Sequence, residues 1–243
     1  MSVAVGLAAG VVIVVATIVQ RLTGMGFGIV AVPLLALIAP DVGTFAVLVL
    51  TVLVMVAVAW AERDALDRRV LAIASLASLP GVAVGTWLAA VLPLRATHLA
   101  IGAIVIAGSL VSMAGWRAPA GRTSLVTGSV LAGILTPVAA LPGPPMAIVY
   151  RPDDVRRMRT TLSAFFAFGS AVSAVTLLLS GTTDAGAELV RAAVLVPAIV
   201  VGMLLAMPLV PRLPAPAVRT ATLVLSLVSG AALVARAAFE SFA

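Results

Sequence analysis

Gly24-Met25-Gly26-Phe27-Gly28 and Leu141-Pro142-Gly143-Pro144-Pro145 interrupt two apolar stretches of this chain, with Gly26 and Gly143 117 residues apart. A bilayer core has no water to offer free backbone groups, so a broken helix persists there only where protein or a polar cavity satisfies it. Two such breaks at matching positions in two halves point to a transport site. Composition places both breaks in a membrane. The chain has 243 residues, 63% of them hydrophobic and 10% charged, with a mean hydropathy of +1.25. That is far too apolar for a soluble domain.

Hydropathy and helix breakers divide the chain into ten apolar segments, roughly 3–20, 26–39, 43–60, 69–92, 97–115, 122–137, 144–150, 158–180, 188–210 and 216–238. A crossing helix needs about 20 apolar residues. Segment 144–150 covers only about 10 Å as helix, so it is expected to begin inside the membrane and emerge at Tyr150-Arg151. The second segment is also short, and Pro33 is expected to kink or shorten it further. Residues 1–19 lack the basic start of a signal peptide and read as a retained first span.

All 15 basic residues are arginine, and they sit in short loops, where they set topology rather than bind nucleic acid. If every segment crosses, Arg21, Arg63, Arg68, Arg69, Arg117, Arg122, Arg151, Arg156, Arg157, Arg159, Arg212 and Arg219 share one side. Arg95, Arg191 and Arg236 fall on or near the other. The positive-inside rule makes the first side cytoplasmic and puts both termini outside, in the inner (plasma) membrane of the cell. Trp60, Trp116 and Tyr150 then mark cytoplasmic span ends, and Trp87 lies toward the outer end of the fourth segment.

The 117-residue offset between the breaks also relates Pro80 to Pro197, Gly85 to Gly202 and Arg95 to Arg212. The expected fold is therefore an all-α polytopic membrane protein of two five-segment repeats, 1–116 and 117–243. An odd number of crossings per repeat requires the two copies to be inverted. Chance recurrence of glycine and proline is the alternative, and the shared span order argues against it.

Glycines at 24, 26 and 28 let backbone amides approach a ligand, and the helix that follows presents a positive dipole end. In the second half, Leu135-Thr136-Pro137 is expected to end one helix and Pro144-Pro145 to start the next. The two helix starts should face one another. The candidate substrate-binding residues are Gln20, Arg21, Thr23, Gly24, Gly26, Gly28, Thr136, Gly143, Pro144 and Pro145. Arg21 is the one charge beside either break, and it either lines a wet cavity or snorkels to the headgroups. Its planar fork suits an oxyanion. Gln20, Thr23 and Thr136 are neutral donors, each equally placed to cap a helix end. Gly24 and Gly28 also have the spacing of a helix-packing contact, the reading preferred for Gly6/Gly10 and Gly81/Gly85.

None of the nine acidic residues lies deep in an apolar span, so a carboxylate proton relay or sodium site is not visible and an anion is favoured as cargo. Asp153 and Asp154 read as a solvated loop, and the lone His98 as a satisfied or solvated side chain with pH sensing open. There is no cysteine, hence no disulfide or thiolate chemistry.

At Gly24-Met25-Gly26-Phe27-Gly28 with Val32-Pro33-Leu34, and at Pro142-Gly143-Pro144-Pro145-Met146 with Tyr150, the chain resembles the sulfite exporter TauE/SafE permease family. The similarity in span order covers essentially the whole chain. The resemblance implies transport of sulfite, thiosulfate or an organosulfonate by a protein of two homologous halves. Many relatives continue the first motif with further glycines, whereas this chain has Ile29-Val30-Ala31. Lack of cysteine speaks against the branch that lines a thiosulfate path with cysteines.

The resulting expectation is a permease, not an enzyme, that carries a small sulfur-containing anion by alternating access and needs no cofactor or metal. Its partners are that anion and the lipid bilayer, with a homo-oligomer left open. A channel or an accessory subunit of a larger complex is the alternative. An intramembrane hydrolase would need a nucleophile and base or clustered acids, and neither Gly-x-Ser-x-Gly nor His-Glu-x-x-His occurs.

Overall fold

The computed structural model describes residues 2–115, 119, 121–181, 183–209, 212 and 215–239; Trp116 and Arg117 lie outside them. It contains ten α-helices among the described residues: α1 Val3–Thr23, α2 Phe27–Ile38, α3 Thr44–Ala61, α4 Arg68–Val91, α5 Leu94–Met113, α6 Arg122–Ala139, α7 Gly143–Val149, α8 Val155–Ser180, α9 Ala185–Leu209 and α10 Ala215–Phe239. Local chemistry sets many of their ends. Ser2, Asp67 and Asp154 cap α1, α4 and α8, their side chains accepting from the amides of Val5, Val70 and Arg156. Gly24 ends α1 in the left-handed region at φ 79°, where a Cβ would be strained.

Seven of these helices are long and apolar enough to cross a membrane; the other three are α2 and α7, short as expected, and α6. α2 and α7, with 12 and 7 residues, span about 18 and 10 Å. α6 has 18 residues but carries Arg122, Thr123, Ser124, Thr127, Ser129 and Thr136, which lower its hydropathy. It also runs through Pro137 to Ala139 rather than ending at the proline. Buried surroundings tolerate the missing donor, and Ala140 closes the helix by donating to the Thr136 carbonyl at 2.7 Å. Likewise α2 continues through Pro33 to Ile38.

α7 doubles back along α6: a Cβ at Gly128 would lie 2.7 Å from Val149, and Ser129 Oγ donates to Met146 Sδ at 3.6 Å. α1 and α2 form the corresponding hairpin in the first half. Between halves, α4 packs on α6 and α9 on α1, while α3 pairs with α8 and α5 with α10. The contact points give direction. Gly81 meets Val130 and Gly85 meets Ile134, so α4 and α6 run parallel; Gly10 meets Ala198 and Thr17 meets Gly202, so α1 and α9 do too.

The α4–α6 crossing is close at both contacts, the α1–α9 crossing at Gly202 only. At α4 and α6 a Cβ on Gly81 or Gly85 would come within 2.2–2.3 Å of a backbone carbonyl oxygen, so both glycines are packing residues as expected. Gly10 is 4.0 Å from Ala198 by the same measure, and with Gly6 it lines a groove of about 1020 Å³ between α1 and α9. Close packing at Gly6/Gly10 is therefore corrected: the two helices diverge toward Ser2.

Phe27, Leu48, Leu50, Leu162, Phe165 and Phe166 fill the interior. Leu7, Leu76, Trp87, Leu179, Leu204 and Met207 point outward, an apolar surface of the kind that marks contact with lipid. Ion pairs of Asp64 with Arg156, Asp67 with Arg157 and Glu62 with Arg159 gather at one end of the bundle. At the other end Arg95 donates to the Ala237 carbonyl at 3.0 Å, Arg236 to the Leu37 carbonyl at 2.9 Å, and Glu188 accepts from the Ala46 amide at 2.9 Å. These two groups match the division of the arginines read from loop parity.

Candidate functional site

The two breaks meet. A Cβ at Gly28 would stand 2.7 Å from the Ala140 carbonyl oxygen, and one at Gly143 would stand 3.5 Å from that of Met25. Between them is a cavity of about 10 Å³ lined by Met25, Gly28, Ile29, Ala140, Leu141, Pro142 and Gly143, with Thr51, Met55 and Phe166 closing its sides. Thr51 and Met55 lie in the central turns of α3, so the cavity is far from both ends. Its volume holds about one water molecule. An oxyanion enters only if the helices around it move.

Gln20 organises the first break. It is fully buried; its Oε1 accepts from the Phe27 amide at 3.1 Å and its Nε2 donates to Ser163 Oγ on α8 at 3.3 Å. One side chain thus caps α2 and ties the break to the other half. Thr23 Oγ1 donates to the Val19 carbonyl at 2.9 Å and accepts from the Met25 amide at 3.4 Å, and a Cβ on Gly26 would stand 2.1 Å from Val19. With the Phe27 amide taken, those of Gly28 and Ile29 are the donors left over in the first turn of α2.

Arg21 lies in the last turn of α1, where a cation is favoured by the helix dipole. It does not line the cavity. Its Nη1 is nevertheless buried without a hydrogen-bond partner, as is Thr17 Oγ1 one turn earlier on the same face. That face looks toward α9, where a Cβ on Gly202 would stand 2.7 Å from Thr17.

The second break is poorer in donors. Thr136 Oγ1 donates to its own helix, at the Ala132 carbonyl 2.6 Å away. Pro144 and Pro145 supply no amides, and Pro144 packs where a Cβ on Gly108 of α5 would stand 2.8 Å from it. Of the expected site residues, Gly28 and Gly143 border the cavity; Gln20, Thr23, Gly24 and Gly26 shape the first break behind it; Thr136, Pro144 and Pro145 build the second.

Sequence reasoning missed Thr51, Met55 and Phe166, which carry no mark within their apolar spans, and it counted Arg159 only among the arginines of one side, with no part in the site. Arg159 is only 9% exposed. Its backbone and stem lie 3.0 Å from where a Gly24 Cβ would be, and its guanidinium pairs with Glu62 through Nη2 and, at 3.0 Å, through Nε. Nearby, Thr161 Oγ1 accepts from the Asp67 amide at 3.0 Å and the Tyr150 hydroxyl at 3.5 Å. Burial pushes the Tyr150 hydroxyl above its usual range. At Asp67 burial acts in the same raising sense, but bonds from the Val70 amide and Arg157 outweigh it and hold the carboxyl below its ordinary value.

No group of three metal-ligating side chains occurs among the described residues. The family model described as "Sulfite exporter TauE/SafE" matches residues 8–233. The chain belongs to this family. With seven helices long and apolar enough to cross a membrane among the described residues, this TauE/SafE member is a multi-pass membrane transporter. No curated protein and no solved structure matches it.

Proposed function

We propose that this TauE/SafE protein is an inner-membrane permease for a small sulfur oxyanion, sulfite or an organosulfonate, working by alternating access around the two facing breaks. The observation that carries the reading is the small cavity between Gly28 and Gly143, walled by one break from each half. A site built from both halves opens to one side or the other when the halves tilt. A cavity with room for about one water suits a carrier caught between its open states better than a continuous pore.

The halves act as an inverted repeat. Support comes from the exchanged pairing of α4 with α6 and α9 with α1, and from Gly85 against Ile134 matching Gly202 against Thr17 at the same 117-residue offset. The arginine-rich end faces the cytoplasm and both termini face outward. Arg21 is the charge partner of the cargo, its spare Nη1 donor meeting the anion as α1 moves.

Flux of sulfite and methanesulfonate into proteoliposomes tests this. Saturable flux, lost in Arg21→Ala at normal membrane insertion, is the expected result. Absent or unsaturable flux overturns the carrier reading, and unchanged flux in Arg21→Ala removes Arg21 from the site.

A further inference from the structure

Three acid–arginine pairs join the α3–α4 connection to the start of α8, and they are not alike. Side-chain exposures are 56% and 70% for Arg156 and Asp64, and 52% and 14% for Arg157 and Asp67, but 10% and 13% for Arg159 and Glu62. The first is a surface pair of small worth, and the second keeps its arginine half-exposed although its carboxylate is withdrawn. The third is desolvated on both sides, and such a pair is not kept for stability alone, because its desolvation cost rivals its Coulombic gain. Glu62 is also the C-cap of α3, where the helix dipole disfavours a carboxylate.

We propose that Arg159 and Thr160 form an oxyanion-binding site at the arginine-rich entrance, and that the Glu62 carboxylate occupies it in this structure as a stand-in for the cargo. The donor set is that of an oxyanion receptor. Arg159 presents Nε and Nη2 as a fork to the two carboxylate oxygens, and Thr160 Oγ1 lies 3.4 Å from Oε2 and 3.3 Å from the Glu62 carbonyl. A sulfite or sulfonate group has three oxygens with which to meet these three donors.

The site is also on the way to the cavity. Arg159, Ser163 and Phe166 follow one face of α8; Ser163 holds Gln20 at the first break and Phe166 lines the cavity. Gly24 makes the approach possible, since Arg159 fills the space its Cβ would take. An anion that displaces Glu62 unties α3 from α8 and opens the cytoplasmic side, so loading and gating are one event.

The cargo named here rests on the transport reading; the site itself is tested by binding, without flux. Thermal unfolding of the detergent-purified full chain is followed with sodium sulfite and sodium methanesulfonate, against sodium chloride at equal ionic strength. Glu62→Gln leaves Arg159 with an unpaired charge, so its melting temperature should fall, and the two sulfur anions should restore it with an apparent affinity about tenfold tighter than for the unchanged chain. The gain should vanish in Glu62→Gln/Arg159→Gln. Equal anion response with and without Glu62, restoration by chloride alone, or a response that survives loss of Arg159 each overturns the proposal. Should Glu62→Gln fail to fold, Thr160→Val keeps the ion pair and should weaken anion binding about threefold; an unchanged affinity overturns it equally. If wild-type protein carries sulfite while these tests fail, this site alone falls. If Glu62→Gln binds the anions but the wild-type protein shows no flux, the transport reading falls and the site stands.

Discussion

The two breaks occupy equivalent places in their halves but solve the same problem with opposite chemistry. The first is polar and pinned. Gln20 caps α2 and reaches across to Ser163, Thr23 closes the end of α1, and Gly24 takes the left-handed turn. The second is apolar and unpinned: Thr136 bonds only its own helix, two prolines remove amides that would need partners, and Ala140 makes the left-handed turn at φ 49°. A break in a membrane can be satisfied by supplying acceptors or by deleting donors. The half that supplies polar groups also holds Arg21 and contacts Arg159, so the arginines nearest the breaks both lie at the first of them.

This contrast is open to paired substitutions. The largest difference is expected at the contact face: Gly28→Ala drives a Cβ to 2.7 Å from the Ala140 carbonyl oxygen, whereas Gly143→Ala meets Met25 at an ordinary 3.5 Å. Overpacking against backbone costs about 1–3 kcal/mol, so Gly28→Ala should lower the melting temperature and cut flux while Gly143→Ala stays near wild type. Equal effects would show that the breaks are packed alike.

Next comes pinning. Gln20→Leu leaves the Phe27 amide and Ser163 without their partner at a cost of about 1–3 kcal/mol. Thr136→Val should lose under about 1 kcal/mol, because the Ala132 carbonyl keeps its place in the helix. Denaturant or thermal unfolding in detergent distinguishes the two; a large Thr136→Val loss would mean that the second break is pinned after all.

The smallest pair has opposite signs. Ala140→Gly removes the left-handed penalty and should stabilise by about 1 kcal/mol, whereas Gly24→Ala adds it. Gly24→Ala also crowds Arg159 at 3.0 Å, and should therefore weaken anion binding as well as stability. Stability lost without any change in anion response would separate Gly24 from the Arg159 site.

Much of the architecture was legible in the residues because it follows from local rules. Segments 69–92 and 43–60 correspond to α4 Arg68–Val91 and α3 Thr44–Ala61, since apolar runs bounded by charges and turn residues set helix ends without reference to partners. The reading failed where a neighbour decides. Pro137 was read as a stop, yet packing around it lets α6 run two residues further. Gly6 and Gly10 have the spacing of a contact but border a groove, because the same pattern serves wherever a helix needs a smooth face.

By itself the sequence determined that this is a helical membrane protein of the TauE/SafE family, with ten helical segments and a break early in each half; hydropathy and helix breaking are properties of short stretches. Tertiary structure alone decided that Gly28 abuts Ala140, that Gln20 is a strut, and that Arg159, 97 residues from Glu62, is withdrawn from solvent beside Gly24. Those depend on which helix faces which. Burial of a charge and the choice of its partner are set by the packing of helices distant in sequence, where no local pattern records them.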